Sequence, residues 1–332
     1  MRRVLVTGGA GFVGRRFVRH FLEAGDAVTC VDRLAPGTGA VAPDAGWSGG
    51  FQPFDFERFR FDRNDCRAFF RDESDTDFDL AIHLAAMVGG RLMIERNPLA
   101  VAEDLAIDSD YWQWARRARP KKTICFSSSA AYPVRLQTRE NHVLLKEEMI
   151  DFDGDIGRPD LTYGWAKLTC EYLARLAFQH HGLESVVYRP FSGYGADQDD
   201  TYPFPSLVKR AMANVGAATL EVWGTGDQMR DFIHIDDCLA GVLATMDAIQ
   251  DAGAVNLSTG LLTSFKQFAS LAANACGYDP HVVGLSQQPE GVFARGGDTT
   301  KQEMLGFRSS IRLEHGIRRA IAIYSGATAE WT

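Results

Sequence analysis

The run Val4-Leu5-Val6-Thr7-Gly8-Gly9-Ala10-Gly11-Phe12-Val13-Gly14 constrains this chain more than any other stretch. An apolar segment of strand type ends at Thr7, glycines at 8, 9, 11 and 14 permit a tight turn, and residues 12–24 carry a helical periodicity. A strand, glycine turn and helix in that order bring free N–H groups and the positive end of a helix dipole up to a pyrophosphate. Gly8, Gly11 and Gly14 give the room, and Phe12 and Val13 sit at the helix entrance. The next apolar run, residues 27–31, ends at Asp32, close to the distance expected for an acid that accepts from the adenosine ribose hydroxyls. A carboxylate there repels a 2′-phosphate, so NAD is expected over NADP. Arg33 leaves NADP open, because a guanidinium pairs with that phosphate.

Strand-like runs recur at residues 3–7, 27–32, 79–84, 122–127 and 185–189, with helical patterns at 12–24, 98–118 and 161–181. That alternation predicts an α/β fold built on a doubly wound parallel (Rossmann) sheet. Residues 35–54, rich in Gly, Pro and Ala, read as a surface loop. After Arg189 come shorter pieces: helices at 205–214, 237–248, 264–276 and 312–324, and strands near 219–223, 232–235 and 255–258. They are expected to build a smaller α/β lobe over the carboxyl edge of the sheet. The division is then residues 1–188 plus about 233–257 for the dinucleotide-binding domain, and about 189–232 plus 258–332 for the lobe. A length of 332 residues is enough for both. The net charge of −8 weighs against binding nucleic acid or an anionic membrane. Six cysteines without Cys-x-x-Cys spacing read as reduced core residues, not a disulfide frame or zinc site, so no metal is expected. No apolar stretch approaches about 18 residues, and a cytoplasmic location is expected.

Two further segments carry the chemistry. Phe126-Ser127-Ser128-Ser129-Ala130-Ala131-Tyr132-Pro133 leaves a strand at the carboxyl edge, so its hydroxyls should face the nucleotide crevice. Tyr163-Gly164-Trp165-Ala166-Lys167 places a phenol and an ammonium at i and i+4, on one face of a helix. A tyrosine of ordinary pKa, about 10, is a poor base at neutral pH. A nearby ammonium and an oxidised nicotinamide both stabilise the phenolate, and a serine hydroxyl can share the proton path.

With these segments the chain resembles the extended short-chain dehydrogenase/reductases, specifically the nucleotide-sugar epimerases and dehydratases. The likeness also includes Asp62-Arg63-Asn64-Asp65, His83-Leu84-Ala85-Ala86, Tyr188-Arg189-Pro190-Phe191-Ser192-Gly193-Tyr194-Gly195, Arg230-Asp231-Phe232-Ile233-His234 and Arg295-Gly296-Gly297-Asp298. It implies Ser128, Tyr163 and Lys167 as catalytic residues. Asp62 would contact adenine, and Leu84, Ala85, Ala86, Pro190 and Ser192 would line the cofactor. Val88, Gly89, Gly90, Ser129 and Ala130 would contact the substrate, whose phosphates Arg230 and Arg295 would grip. Met87-Val88-Gly89-Gly90 and Ala131-Tyr132-Pro133 look most like the branch containing GDP-mannose 3,5-epimerase and GDP-fucose synthase.

The departures narrow the reaction. Two places after the catalytic Ser or Thr, dehydratases and decarboxylases of this superfamily carry an acid and the 3,5-epimerase a cysteine; here stands Ala130. Nor does the loop 195–203 offer a counterpart for the 3,5-epimerase's acid lysine. The expectation is therefore an NAD-dependent C4 epimerase of a GDP- or UDP-linked sugar. A nucleotide-sugar reductase or dehydrogenase is the runner-up, and an NAD-binding sensor without turnover is a third class. After Asn97-Pro98 the chain has Asp104-Leu105 where the family has Asn-Val, so the Asn that usually orders the region around the catalytic Tyr is expected to be missing. His83 reads as a structural core histidine, and Asp197, Asp199 and Asp200 as a loop of solvated charges. Tyr111, Trp112 and Trp114 with Tyr172 and Leu176 read either as core or as a face between two helices; a homodimer is implied by the resemblance.

Overall fold

The computed structural model describes residues 1–72, 77–87 and 91–326. Seven strands form one parallel sheet: β1 (Arg3–Thr7), β2 (Ala27–Val31), β3 (Phe59–Asp62), β4 (Leu80–His83), β5 (Lys122–Phe126), β6 (Ser185–Pro190) and β7 (Asp251–Leu257). Their order is β7-β6-β5-β4-β1-β2-β3. The chain thus reverses direction across the sheet between β1 and β4, which opens a crevice at their carboxyl ends. Unbroken apolar runs such as Val4-Leu5-Val6 and Leu80-Ala81-Ile82 suit strands covered on both faces, and all six of these residues are buried. Helix α1 (Gly14–Glu23) packs Phe17, Val18, Phe21 and Leu22 on one face. Helices α2 (Glu103–Ala118) and α3 (Leu161–His181) cover the other through Tyr111, Trp114, Cys170 and Ala174.

Three details depart from the sequence reading. The edge strand β3 pairs Val28 with Phe59 and Val31 with Asp62, yet four residues are too short to declare a periodicity. Residues 35–54 contain no helix or strand longer than one turn, but they do not lie free on the surface. Trp47 and Phe51 are buried in the core that carries α1, and Trp47 Nε1 donates to the Val41 carbonyl at 3.0 Å. The helical stretch at 98–118 is divided at Ala102 into Pro98–Val101 and α2. Tyr111 and Trp114 are fully buried and Trp112 nearly so, which assigns them to the core; Tyr172 stays exposed.

The lobe has its own sheet, in which Met229–His234 lies between Leu262–Ser264 and Ala294–Gly297 and also pairs with Ser192–Tyr194. A second pair joins Thr219–Trp223 to His281–Leu285. Helices Pro203–Ala213, Phe265–Ala275 and Leu313–Tyr324 close around Phe204, Phe232, Phe268 and Ile317. No helix among the described residues is long and apolar enough to cross a membrane.

Candidate active site

The glycine turn leaves β1 directly beside the end of β4. Gly8 has φ +67°, and a Cβ on it would lie 2.8 Å from the Ala85 nitrogen and 2.9 Å from the Leu84 carbonyl carbon, so only glycine fits this approach. Gly11 donates to the Gly8 carbonyl at 3.1 Å, and α1 begins at Gly14 after Val13. No side chain caps that helix start and its first turn holds no acid, so the positive end of its dipole suits an anion. Phe12 lies over Gly195 of the lobe and under the Arg16 guanidinium. Asp32 ends β2 with Oδ2 accepting from Ala10 N–H at 3.1 Å and Oδ1 from Leu34 N–H at 2.8 Å. Burial pushes its carboxyl up, while those two N–H groups and Arg33 oppose the rise. Each carboxylate oxygen keeps a lone pair for a ribose hydroxyl. Asp62 closes the neighbouring strand, its carbonyl accepting from Asp32 N–H at 3.1 Å. Arg33 reaches Asp65 at 3.8 Å and Met87 Sδ at 3.0 Å. Turn, uncapped helix and carboxylate together fit a dinucleotide, the pyrophosphate at α1 and the adenosine ribose at Asp32.

His83 is held on both nitrogens. The Thr7 hydroxyl accepts from Leu84 and Ala85 N–H, both at 3.3 Å, and lies 2.8 Å from His83 Nδ1. Its own hydrogen therefore goes to Nδ1, which places the ring proton on Nε2, 3.1 Å from Asp108 Oδ1. Tyr111 stacks on the ring at 4.0 Å. A histidine so engaged is structural.

Beyond β5 the backbone is extended at Ser128, whose Oγ accepts from Ala130 N–H at 3.1 Å, and Ser129–Ala131 forms a single 3-10 turn. Ser129 and Ala130 are buried. Asp160 N–H donates to the Ala130 carbonyl at 3.0 Å, and Gly164 N–H to the Asp160 carbonyl at 2.9 Å. At Gly164 a Cβ would collide with the Ala130 carbonyl oxygen, so this glycine lets α3 dock on the serine turn. Tyr163 precedes this glycine on the same helix. One helical turn later Lys167 is buried, with Nζ 5.6 Å from the centre of the Tyr163 ring and 3.8 Å from Asp104 Oδ2. Burial alone would lower the Lys167 ammonium, but the charges of Asp104, Tyr163 and Asp108 outweigh it and raise it, so Lys167 is a cation at neutral pH.

Several contributors were not legible in the sequence. Asp104 occupies the place where an ordering Asn was expected to be missing; its Oδ1 accepts from Met87 N–H, and burial pushes its carboxyl up to about 6 against the pull of Lys167. Tyr202, from the lobe, lies within electrostatic reach of Tyr163 and Lys167; burial first, then Tyr163 and Asp199, raise its phenol, while Lys167 opposes the rise. Arg230 and Arg295 are register partners on adjacent parallel strands, hence side by side. Arg295 reaches Gln137 Oε1 at 2.6 Å and Asp160 Oδ2 at 2.8 Å, while Arg230 donates to the Val292 carbonyl at 2.9 Å. Asp160 thus links Arg295 to the start of the helix that carries Tyr163. Pro190 ends β6 at the same sheet edge, and Ser192 pairs with Phe232. Val88, Gly89 and Gly90 lie outside the described residues.

Asp197 is not a solvated charge. Arg15 at 2.9 Å, Arg16, and the Ser48 hydroxyl at 2.9 Å all converge on it. Burial would raise its carboxyl, but the two guanidiniums hold it well below the usual range. Asp200 does stay exposed, paired with Lys209 at 2.6 Å.

A family model described as the NAD dependent epimerase/dehydratase family matches residues 4–258. A rice (Oryza sativa subsp. japonica) protein named probable GDP-L-fucose synthase 1 is 26% identical over 327 residues, 95% of this chain and 89% of that protein. GDP-mannose 3,5-epimerase 1 of Oryza sativa subsp. indica is 26% identical over 329 residues, 95% of this chain and 80% of its own. Among solved structures, the UDP-glucose 4-epimerase of Thermotoga maritima with UDP-glucose superposes with a TM-score of 0.80 at 23% identity, covering 98% of this chain and 99% of that one.

Proposed function

From a chain that belongs to the NAD-dependent epimerase/dehydratase family, we propose C4 epimerisation of a GDP- or UDP-linked sugar through a transient 4-keto sugar. One observation carries this reading: the helix that bears the Tyr163 phenol and the Lys167 ammonium docks on the serine turn through Gly164, and the buried methyl of Ala130 stands in that turn in place of a second acid. Alanine cannot deprotonate a ring carbon or protonate a leaving hydroxyl, so chemistry that needs only a hydroxyl proton moved is favoured.

Tyr163, as phenolate, takes the proton of the C4 hydroxyl and later returns it to the C4 oxygen, once the keto sugar has turned so that the hydride comes back to the opposite face of C4. The Lys167 charge stabilises that phenolate. Ser128 Oγ holds the C4 oxygen during the transfer. Arg230 and Arg295 hold the diphosphate, which leaves the sugar free to turn about its anomeric bond. NAD supplies the acceptor and later the donor of the C4 hydride. Asp32 beside the glycine turn favours NAD, which suits a cofactor regenerated in every cycle. Leu161, Trp165 and Tyr172, exposed along α3, support pairing of two copies through this helix.

Incubation of the purified protein with UDP- and GDP-sugars, without added cofactor, is expected to yield a stereoisomer by NMR. Tyr163→Phe should cut turnover on the order of 10²–10⁴-fold and keep NAD binding. Stoichiometric NADH with no isomer would instead make the protein a dehydrogenase or reductase. Indifference to Tyr163→Phe would make it a non-catalytic binder.

A further inference from the structure

Asp104 is only 1% exposed, in the first turn of α2, and its two oxygens differ. Oδ1 accepts from Met87 N–H, whereas Oδ2, equally enclosed, finds no hydrogen-bond partner among the described residues. Lys167 Nζ lies 3.8 Å from that bare oxygen, and the same Nζ lies 5.6 Å from the centre of the Tyr163 ring. An ionised carboxylate oxygen left without a donor inside a protein is tolerated when a cation balances it. The ammonium's field is therefore divided between a carboxylate on α2 and a phenol on α3.

We propose that Asp104 is a positioning residue for the Tyr163–Lys167 couple, drawing the ammonium toward α2 and thereby setting how readily Tyr163 releases its proton. The proposal rests on Tyr163 being the proton-transfer group of the reaction put forward above. Other charged and titratable groups surround the couple. On α2 they are Glu103 and Asp108, the latter engaged by His83 of β4. From α3 comes Cys170, and from the lobe Tyr202 with Asp199 beside it. Burial brings the Asp104 carboxyl up to about 6, with Lys167 opposing, so it is charged at neutral pH and neutral in mildly acid solution. While charged, it offsets the ammonium. Once the charge is removed, the phenol feels the ammonium in full, which at an effective dielectric of about 20 is a shift of roughly one pH unit.

Asp104→Asn keeps the volume and an acceptor for Met87 N–H while it removes the charge. The protein's ultraviolet tyrosinate titration, with the Tyr163 contribution taken by difference from Tyr163→Phe, should move about one pH unit lower in this variant. The ascending limb of kcat/KM against pH should move with it. Asp104→Ser serves as a second variant if Asp104→Asn does not fold, with the same shift expected. A folded variant whose Tyr163 titrates as in the native chain, or higher, overturns the proposal. Because the titration needs no sugar, it reads Asp104 even where the substrate assignment fails.

Discussion

His234 caps the helix Ile235–Thr245, its Nδ1 accepting from Asp236 N–H at 3.2 Å. Burial lowers its imidazole to about 4, although Asp236 pulls the other way. An unfolded histidine takes up its proton near about 6.5. Between these values the unfolded state binds more protons, so stability is lost as the pH falls from about 6.5 to 4, by on the order of 1–3 kcal/mol. His234→Asn keeps a capping acceptor without the proton site. Urea melts at neutral and acid pH should show a flatter dependence for this variant, and an unchanged dependence would contradict the assignment. Residues of this kind divide by what a sequence can reveal. The placement of Asp32, Tyr163 and Lys167 was legible because it rests on spacing along one strand end or one helical turn. Asp104 and Asp160 were not, because each acquires its role from a partner far along the chain, Lys167 in one case and Arg295 in the other.

The decisive element is α3. Its start is fastened to the serine turn through Asp160, Ala130 and the bare Cα of Gly164. Gly164→Ala would force the helix off that turn, at a cost of about 1–3 kcal/mol for overpacking. It should lower the urea midpoint and depress turnover by moving Tyr163, while NAD affinity, which on the proposed reading rests on β1, α1 and β2, should hold. Loss of NAD affinity together with turnover would place the damage elsewhere. Long apolar runs announced β1, β2, β4, β5 and β6, since a strand buried on both faces needs them. The short pieces Phe59–Asp62, Leu262–Ser264 and Ala294–Gly297 carry little pattern of their own and form through pairing with neighbours. The aromatic plug of Trp47 and Phe51 escaped for a related reason: a segment rich in glycine and proline can still deliver two large side chains to a core.

Across the whole molecule, polar ties hold the lobe against the sheet. Asp197 is clamped by Arg15 and Arg16 of α1, so the loop after Gly195 is fixed beside the turn that would bear the pyrophosphate. Arg295 ties the lobe sheet to the start of α3. Beneath the site, buried Arg189 pairs with Glu171 at 2.6 Å and donates to the Tyr132 hydroxyl at 3.0 Å, which in turn donates to Asn256 Oδ1 at 2.7 Å. Such fully engaged buried charges define one arrangement of strand, turn and helix.

The most direct test of the Tyr163–Lys167 couple's role uses a nucleotide sugar deuterated at C4, incubated with NAD-loaded protein and no added cofactor. The account predicts an isomer inverted at C4 with the deuterium still on that carbon and no net NADH. NADH accumulating mole for mole with the protein while no isomer forms, or deuterium lost to solvent, would contradict it.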